Sequence, residues 1–208
     1  MSRTKTIISL IINSVIFLTT TGIVISYFCG NTGTLIEYGY ESFKFFTTDS
    51  NVIAAVASLI MAICDIKILS GKNNHIPPWV ILFKYIGTVS VMLTFMTVVC
   101  YLAPIYGPAT VLSGTSFHMH ASAPLLCFIS FCFIETDSTL SFKSTFIALI
   151  PMLLYSVFYT SSVVFFKTIT DFYSLNAGGF WYISSPIILF GTYTIAFLTR
   201  LLHNKFCK

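Results

Sequence analysis

Six apolar runs, each long enough to cross a bilayer, constrain this chain more than any other feature. They fall near residues 6–28, 42–64, 78–103, 113–134, 144–166 and 181–203. A spanning helix needs about 20 predominantly apolar residues, and every run meets that length. Charged residues make up only 9% of the chain, against roughly 25% in a soluble domain, so a soluble surface cannot be clothed. The 208 residues allow one compact unit over 1–208 with no second domain. The first run is too long for a signal-peptide core and lacks a small-residue cleavage site, so it is expected to stay in the mature protein. The reading is an all-α membrane protein, a bundle of six transmembrane helices. It is integral and multi-pass, in the plasma membrane if the chain is bacterial.

Lysine and arginine placement orients the bundle. With both termini cytoplasmic, Arg3, Lys5, Lys67, Lys72, Lys143, Arg200, Lys205 and Lys208 lie inside, Lys84 lies near the inner interface, and only Lys44 and Lys167 lie outside. The net charge of +4 then follows from membrane topology and gives no reason to expect a nucleic-acid partner. The cysteines show neither a CxxC pair nor ligand spacing with histidine, so no metal or cofactor is implied.

Two stretches concentrate polar chemistry inside apolar surroundings. One is Phe43-Lys44-Phe45-Phe46-Thr47-Thr48-Asp49-Ser50-Asn51, at the outer end of the second run. The other is Ser113-Gly114-Thr115-Ser116-Phe117-His118-Met119-His120, at the head of the fourth. Polar groups in a membrane need partners, and a carboxylate there usually marks a functional interior. On helices starting at Ser42 and Ser113, Thr47 lies about 8 Å and His120 about 10 Å below the outer ends. Thr47, Ser50 and Asn51 share one helical face, whereas Asp49 points elsewhere. His118 and His120, two residues apart, diverge on a helix and cannot serve one partner, which argues against a two-histidine metal site. Pro124 removes a backbone bond beside His120 and loosens the helix there.

The remaining signals are read more plainly. Thr19-Thr20-Thr21-Gly22 predicts close helix packing, with hydroxyls bonded back to their own helix. Tyr38 and Tyr40 suit the outer interface, and Trp79 the inner one. Residues 65–77 read as a cytoplasmic loop in which His75 is solvated. Pro77-Pro78 opens the third helix. Tyr155, Tyr159 and Ser162 form a stripe on the fifth helix; its ordinary role is packing, with hydroxyls that need buried partners. His203 reads as an interfacial residue without a special role.

A hydroxyl at Thr47 and an imidazole at His120, on different helices at one depth, fit a nucleophile and its base in acyl transfer. Ser50, Asn51 or Ser122 are candidate oxyanion donors, and Asp49 is a doubtful orienting group because of its angle. At that depth the natural partner is a lipid, a long-chain ester entering from the bilayer past Phe43, Phe45 and Phe46. Two other readings stand beside this one. In the first, Asp49, Asn51 and His120 line the pathway of a small transporter or channel, although no internal repeat or pair of broken helices supports it. In the second, the protein is a non-enzymatic membrane protein with a satisfied polar core.

The run Phe43 to Asn51 resembles the aromatic–Phe–Thr–x–x–Ser–Asn signature of a six-pass membrane family. That family includes the androgen-induced protein, the androgen-dependent TFPI-regulating protein and bacterial relatives. His120-Ala121-Ser122-Ala123-Pro124 is similar to the family's histidine and following proline at the head of its fourth helix. Its characterised members are threonine hydrolases that cleave fatty acid esters of hydroxy fatty acids. The resemblance implies that Thr47 is the nucleophile and His120 the base. The chain departs from the pattern in carrying Phe117-His118-Met119 where animal members place an Asn-His pair.

Overall fold

A computed structural model describes residues 2–29, 39–176 and 178–207. It contains six helices long and apolar enough to cross a membrane: α1 (Arg3–Phe28), α2 (Phe46–Leu69), α3 (Pro78–Tyr106), α4 (Gly114–Ile134), α5 (Phe142–Phe165) and α6 (Trp181–Phe206). No strand occurs among the described residues. Helix α1 starts three residues before its apolar run because the Ser2 side chain accepts from the Lys5 N–H and caps it. Pro78 opens α3, as its missing N–H requires no helical partner there. Tyr38 lies outside the described residues; Tyr40 is exposed and packs edge-on against Phe28.

Helix α2 differs most from its apolar pattern. A 3-10 segment, Gly39–Lys44, precedes it, so the α-helix begins at Phe46 and continues to Leu69. Asp65 therefore belongs to the helix and is fully buried, where the sequence placed a loop. The late start also makes Thr47 the second helical residue rather than one a turn and a half inside.

Three helices carry π-turns, two of them beside prolines. In α4 the Ala123 N–H bonds the His118 carbonyl five residues back, just before Pro124. In α3 the Ala103 N–H does the same with Val98, just before Pro104. A proline cannot donate to the carbonyl four residues behind it, so the backbone relaxes to the wider turn on its N-terminal side. Helix α5 is interrupted at residues 148–149, before Pro151.

Helices α2 and α3 meet closely at Gly87, where an added methyl would lie 3.0 Å from the Ala54 Cα. The main apolar core gathers Met61, Ile81, Tyr85, Val89 and Phe131, while Leu18, Leu154, Val157 and Phe190 face outward. One end of the bundle joins both described chain ends to the loops between helices. Lys5 Nζ donates to the Phe133 carbonyl at 3.0 Å, Ile76 N to Asp137 at 2.7 Å, and Leu140 N to Asn204 at 2.8 Å. Three basic residues expected at the interface are packed inside instead. Lys84 is 1% exposed. His203 is fully buried, stacks on Phe131 and meets the Phe131 and Ser138 carbonyls. Arg200 lies over the Phe142 and Phe197 rings. His75 is exposed, as read from its loop.

Candidate functional site

At the other end of the bundle, Thr47 and His120 line one cavity of about 240 Å³ with Phe45, Leu102, Tyr106, Val111, Ser116 and Tyr173. Both residues are buried, at 9% and 8% exposure. Thr47 has no preceding α-helical turn, because residues 39–44 form the 3-10 segment. Its side chain lines the cavity and hydrogen-bonds the Tyr173 phenol. The His120 Nδ1 stands 2.7 Å from the Val111 carbonyl. A carbonyl only accepts, so Nδ1 carries the proton and Nε2 of the neutral ring holds the lone pair. The segment before α4 thus fixes the tautomer that a base requires.

The neighbours of Thr47 bond its backbone and the adjacent helices. Asn51 donates its two amide hydrogens to the Thr47 carbonyl at 2.8 Å and to the Met119 carbonyl at 2.9 Å, tying α2 to α4. Ser50 donates to the Thr47 carbonyl at 3.1 Å and pairs with the Thr94 hydroxyl at 2.9 Å. Ser122 pairs with His118 Nδ1 at 2.9 Å. None of the three lines the cavity. Asp49 lies away from the pair, in an apolar groove with Phe43, Val52, Pro151 and Leu154; it orients neither Thr47 nor His120.

His118 diverges from His120 as its spacing required. Its Nε2 meets the hydroxyls of Thr19 at 3.1 Å and Thr20 at 3.0 Å. Thr19 also bonds back to the Val15 carbonyl at 2.6 Å, as its helix position suggested. Beside Thr47 stands Tyr173, which the sequence did not single out. Burial pushes its phenol up to about 12, against the pull of the Thr47 and Tyr155 side chains, so it stays a donor across neutral pH. Tyr159 holds it in place: the Tyr159 hydroxyl accepts from the Tyr173 N–H at 3.0 Å and donates to Asp171 at 2.8 Å. Tyr155 donates to the Lys44 carbonyl at 2.7 Å and fixes the 3-10 entry to Thr47. The tyrosine stripe of α5 thus ties Lys44 and the loop carrying Tyr173 to the helix, and Tyr155 also lines the smaller of the cavities around Thr47. Its link to Tyr173 was not legible, since it runs through an irregular loop.

Thr47, Leu102 and Tyr173 also line a second, smaller and more apolar cavity of about 50 Å³ with Leu93, Val98, Met152 and Ile188. Thr47 thus sits where two cavities meet. Among the described residues no group of three His, Cys, Asp or Glu side chains can hold a metal ion. No protein-family model, curated protein or solved structure matches the chain.

Proposed function

We propose that the protein is an intramembrane hydrolase that cleaves lipid esters, with Thr47 as nucleophile and His120 as base. The observation that carries this reading is the cavity the two side chains share, with the His120 tautomer fixed by Val111. Thr47 Oγ1 attacks the ester carbonyl carbon while its proton passes to His120 Nε2. The developing oxyanion takes a hydrogen bond from the Tyr173 phenol. Collapse breaks the carbon–alkoxy bond, and the departing oxygen leaves as an alcohol with the proton from His120. A water molecule then gives a proton to His120 and attacks the acyl-threonine. That proton returns to Thr47 as the fatty acid leaves.

An ester has two arms, and Thr47 borders two cavities, the larger of about 240 Å³ for one chain and a recess of about 50 Å³ that takes the start of the other. Fatty acid esters of hydroxy fatty acids, the class implied by the motif resemblance, have this shape. The Lys/Arg bias supports cytoplasmic termini, which puts the Thr47 end of the bundle in the outer leaflet. A fluorophosphonate probe applied to the full chain in membranes tests the reading. Covalent labelling that disappears in Thr47→Ala is expected, and undiminished labelling of that variant overturns the assignment.

A further inference from the structure

At the end of the bundle away from Thr47, six polar side chains from α1, α2, α3 and the end of α4 form a network with no place in ester cleavage. They are Ser9, Asn13, Ser58, Asp65, Lys84 and Glu135, all at most 1% exposed. Ser9 donates to Asp65 Oδ2 at 2.6 Å. Asn13 Nδ2 donates to Glu135 Oε1 at 2.7 Å, and the same oxygen lies 3.4 Å from the Ser9 hydroxyl. Lys84 donates to Asn13 Oδ1 at 2.6 Å and to Ser58 at 2.8 Å. Among the described residues no ion pair joins Lys84 directly to either carboxylate, so Asn13 stands between the cation and the acids.

The network is short of one positive charge and of donors. With both acids ionised, one ammonium faces two carboxylates, leaving a net charge of −1 within the bundle. Removing such a charge from water is expensive unless it is paired and hydrogen-bonded. The outer oxygens, Asp65 Oδ1 and Glu135 Oε2, are both buried without a hydrogen-bond partner. The Ser9 hydroxyl lies near both acids but has one hydrogen to give. Two buried carboxylates bridged by one hydroxyl repel each other, and a single proton on the pair relieves that repulsion. That proton would neutralise the network and turn an orphan acceptor into a donor.

We propose that Asp65 and Glu135, bridged by Ser9 and Asn13, form a proton-binding site that keeps one proton at neutral pH, with Lys84 as its fixed counter-cation. Other titratable groups lie on the elements packed around the pair. Lys5 stands on α1, where it bonds Phe133 and Thr136. Cys64 lies beside Asp65 on α2, Lys84 comes from α3, and Cys127 and Cys132 come from α4. Lys67 lies near Cys64 on α2, and from α6 His203 meets the Phe131 and Ser138 carbonyls; Lys5 is spent on neutral oxygens outside the network, so Lys84 is the cation bonded within it.

Infrared difference spectra of the full chain in lipid nanodiscs test the site through the protonated carboxyl C=O stretch, which shifts in D₂O. At neutral pH the wild type is expected to show this band. Asp65→Asn and Glu135→Gln should each abolish it, because one remaining carboxylate and Lys84 already balance. Lys84→Met should enlarge it, as a second proton is taken up. The wild-type spectrum needs no variant to fold, and absence of the band there overturns the proposal. A band that survives both amide variants overturns it as well. A band present in choline chloride but absent in sodium chloride assigns the position to a sodium ion and overturns the proton. None of these readouts depends on hydrolysis.

Discussion

Thr47 and His120 act as a unit if they are nucleophile and base, and their variants should behave accordingly. Thr47→Ala and His120→Ala are each expected to lower kcat for a long-chain ester on the order of 100- to 10,000-fold. The double variant should be little worse than either, and additive losses in a steady-state assay would break the pairing. Thr47→Ser keeps the hydroxyl and should retain turnover. Tyr173→Phe removes one oxyanion donor and is expected to lower kcat about 100- to 1,000-fold with KM little changed. The phenol, raised to about 12 by burial, keeps its proton as pH rises and loses it only near that value. No alkaline decline below about pH 11 should therefore trace to Tyr173. His118→Ala touches none of the cavity but removes contacts to Thr19, Thr20 and Ser122. It should lower stability by about 1–3 kcal/mol and leave kcat close to wild type in the folded fraction.

Elements set the aim of these side chains. The π-turn His118–Ser122 exists because Pro124 cannot bond the carbonyl of His120, four residues behind it. Pro124→Ala restores that donor, allows ordinary α-helical pairing and turns His120 away from the cavity. The expected result is a folded, helical protein with turnover reduced about 100-fold, the scale of an ångström-sized misplacement. Wild-type turnover would show that the π-turn does not position the base. Gly87 governs the packing of α2 on α3, since any Cβ there meets the Ala54 backbone. Gly87→Val should lower thermal stability in detergent by about 1–3 kcal/mol through overpacking. An unchanged melting temperature would show that the helices slide apart without strain.

The whole molecule separates two kinds of chemistry: a cavity with Thr47 and His120 at one end, and a buried charge network near the chain ends at the other. With cytoplasmic termini, a cysteine placed at the exposed Thr170 of a cysteine-free chain should react with an impermeant maleimide from outside intact cells. One at the exposed Asn73 should be protected. The reverse pattern would invert the bundle and put the cavity in the inner leaflet. Chain-length preference belongs to this scale too. Ala121 and Ala123, beside His120 in sequence, line neither cavity; the walls are Leu93, Val98, Met152 and Ile188. Rates should rise with acyl length at equal bilayer concentration, and Ile188→Trp should shift the optimum to shorter chains. Equal turnover of a soluble acetate ester would count against entry from the bilayer.

Local properties of the sequence determined the class of molecule. Apolar run length placed six helices, since a helix in lipid satisfies its backbone within one segment. Helical geometry alone separated His118 from His120 and Asp49 from Thr47. Only the tertiary structure decided which polar groups remain available for chemistry, because that depends on partners far away in the chain. Asn51 looked like a donor until the Thr47 and Met119 carbonyls took its hydrogens, and Ser122 turned out to pair with His118. Tyr173 became part of the site through Tyr159 and Asp171, across a loop with no periodicity to read. Asp65, Lys84 and Glu135 each lie near the end of an apolar run, where charge ordinarily means an interface. They became one buried network because α1 supplies Ser9 and Asn13 between them. Spacing along a chain fixes which face a residue takes, but the groups opposite that face are set by the packing of the other helices.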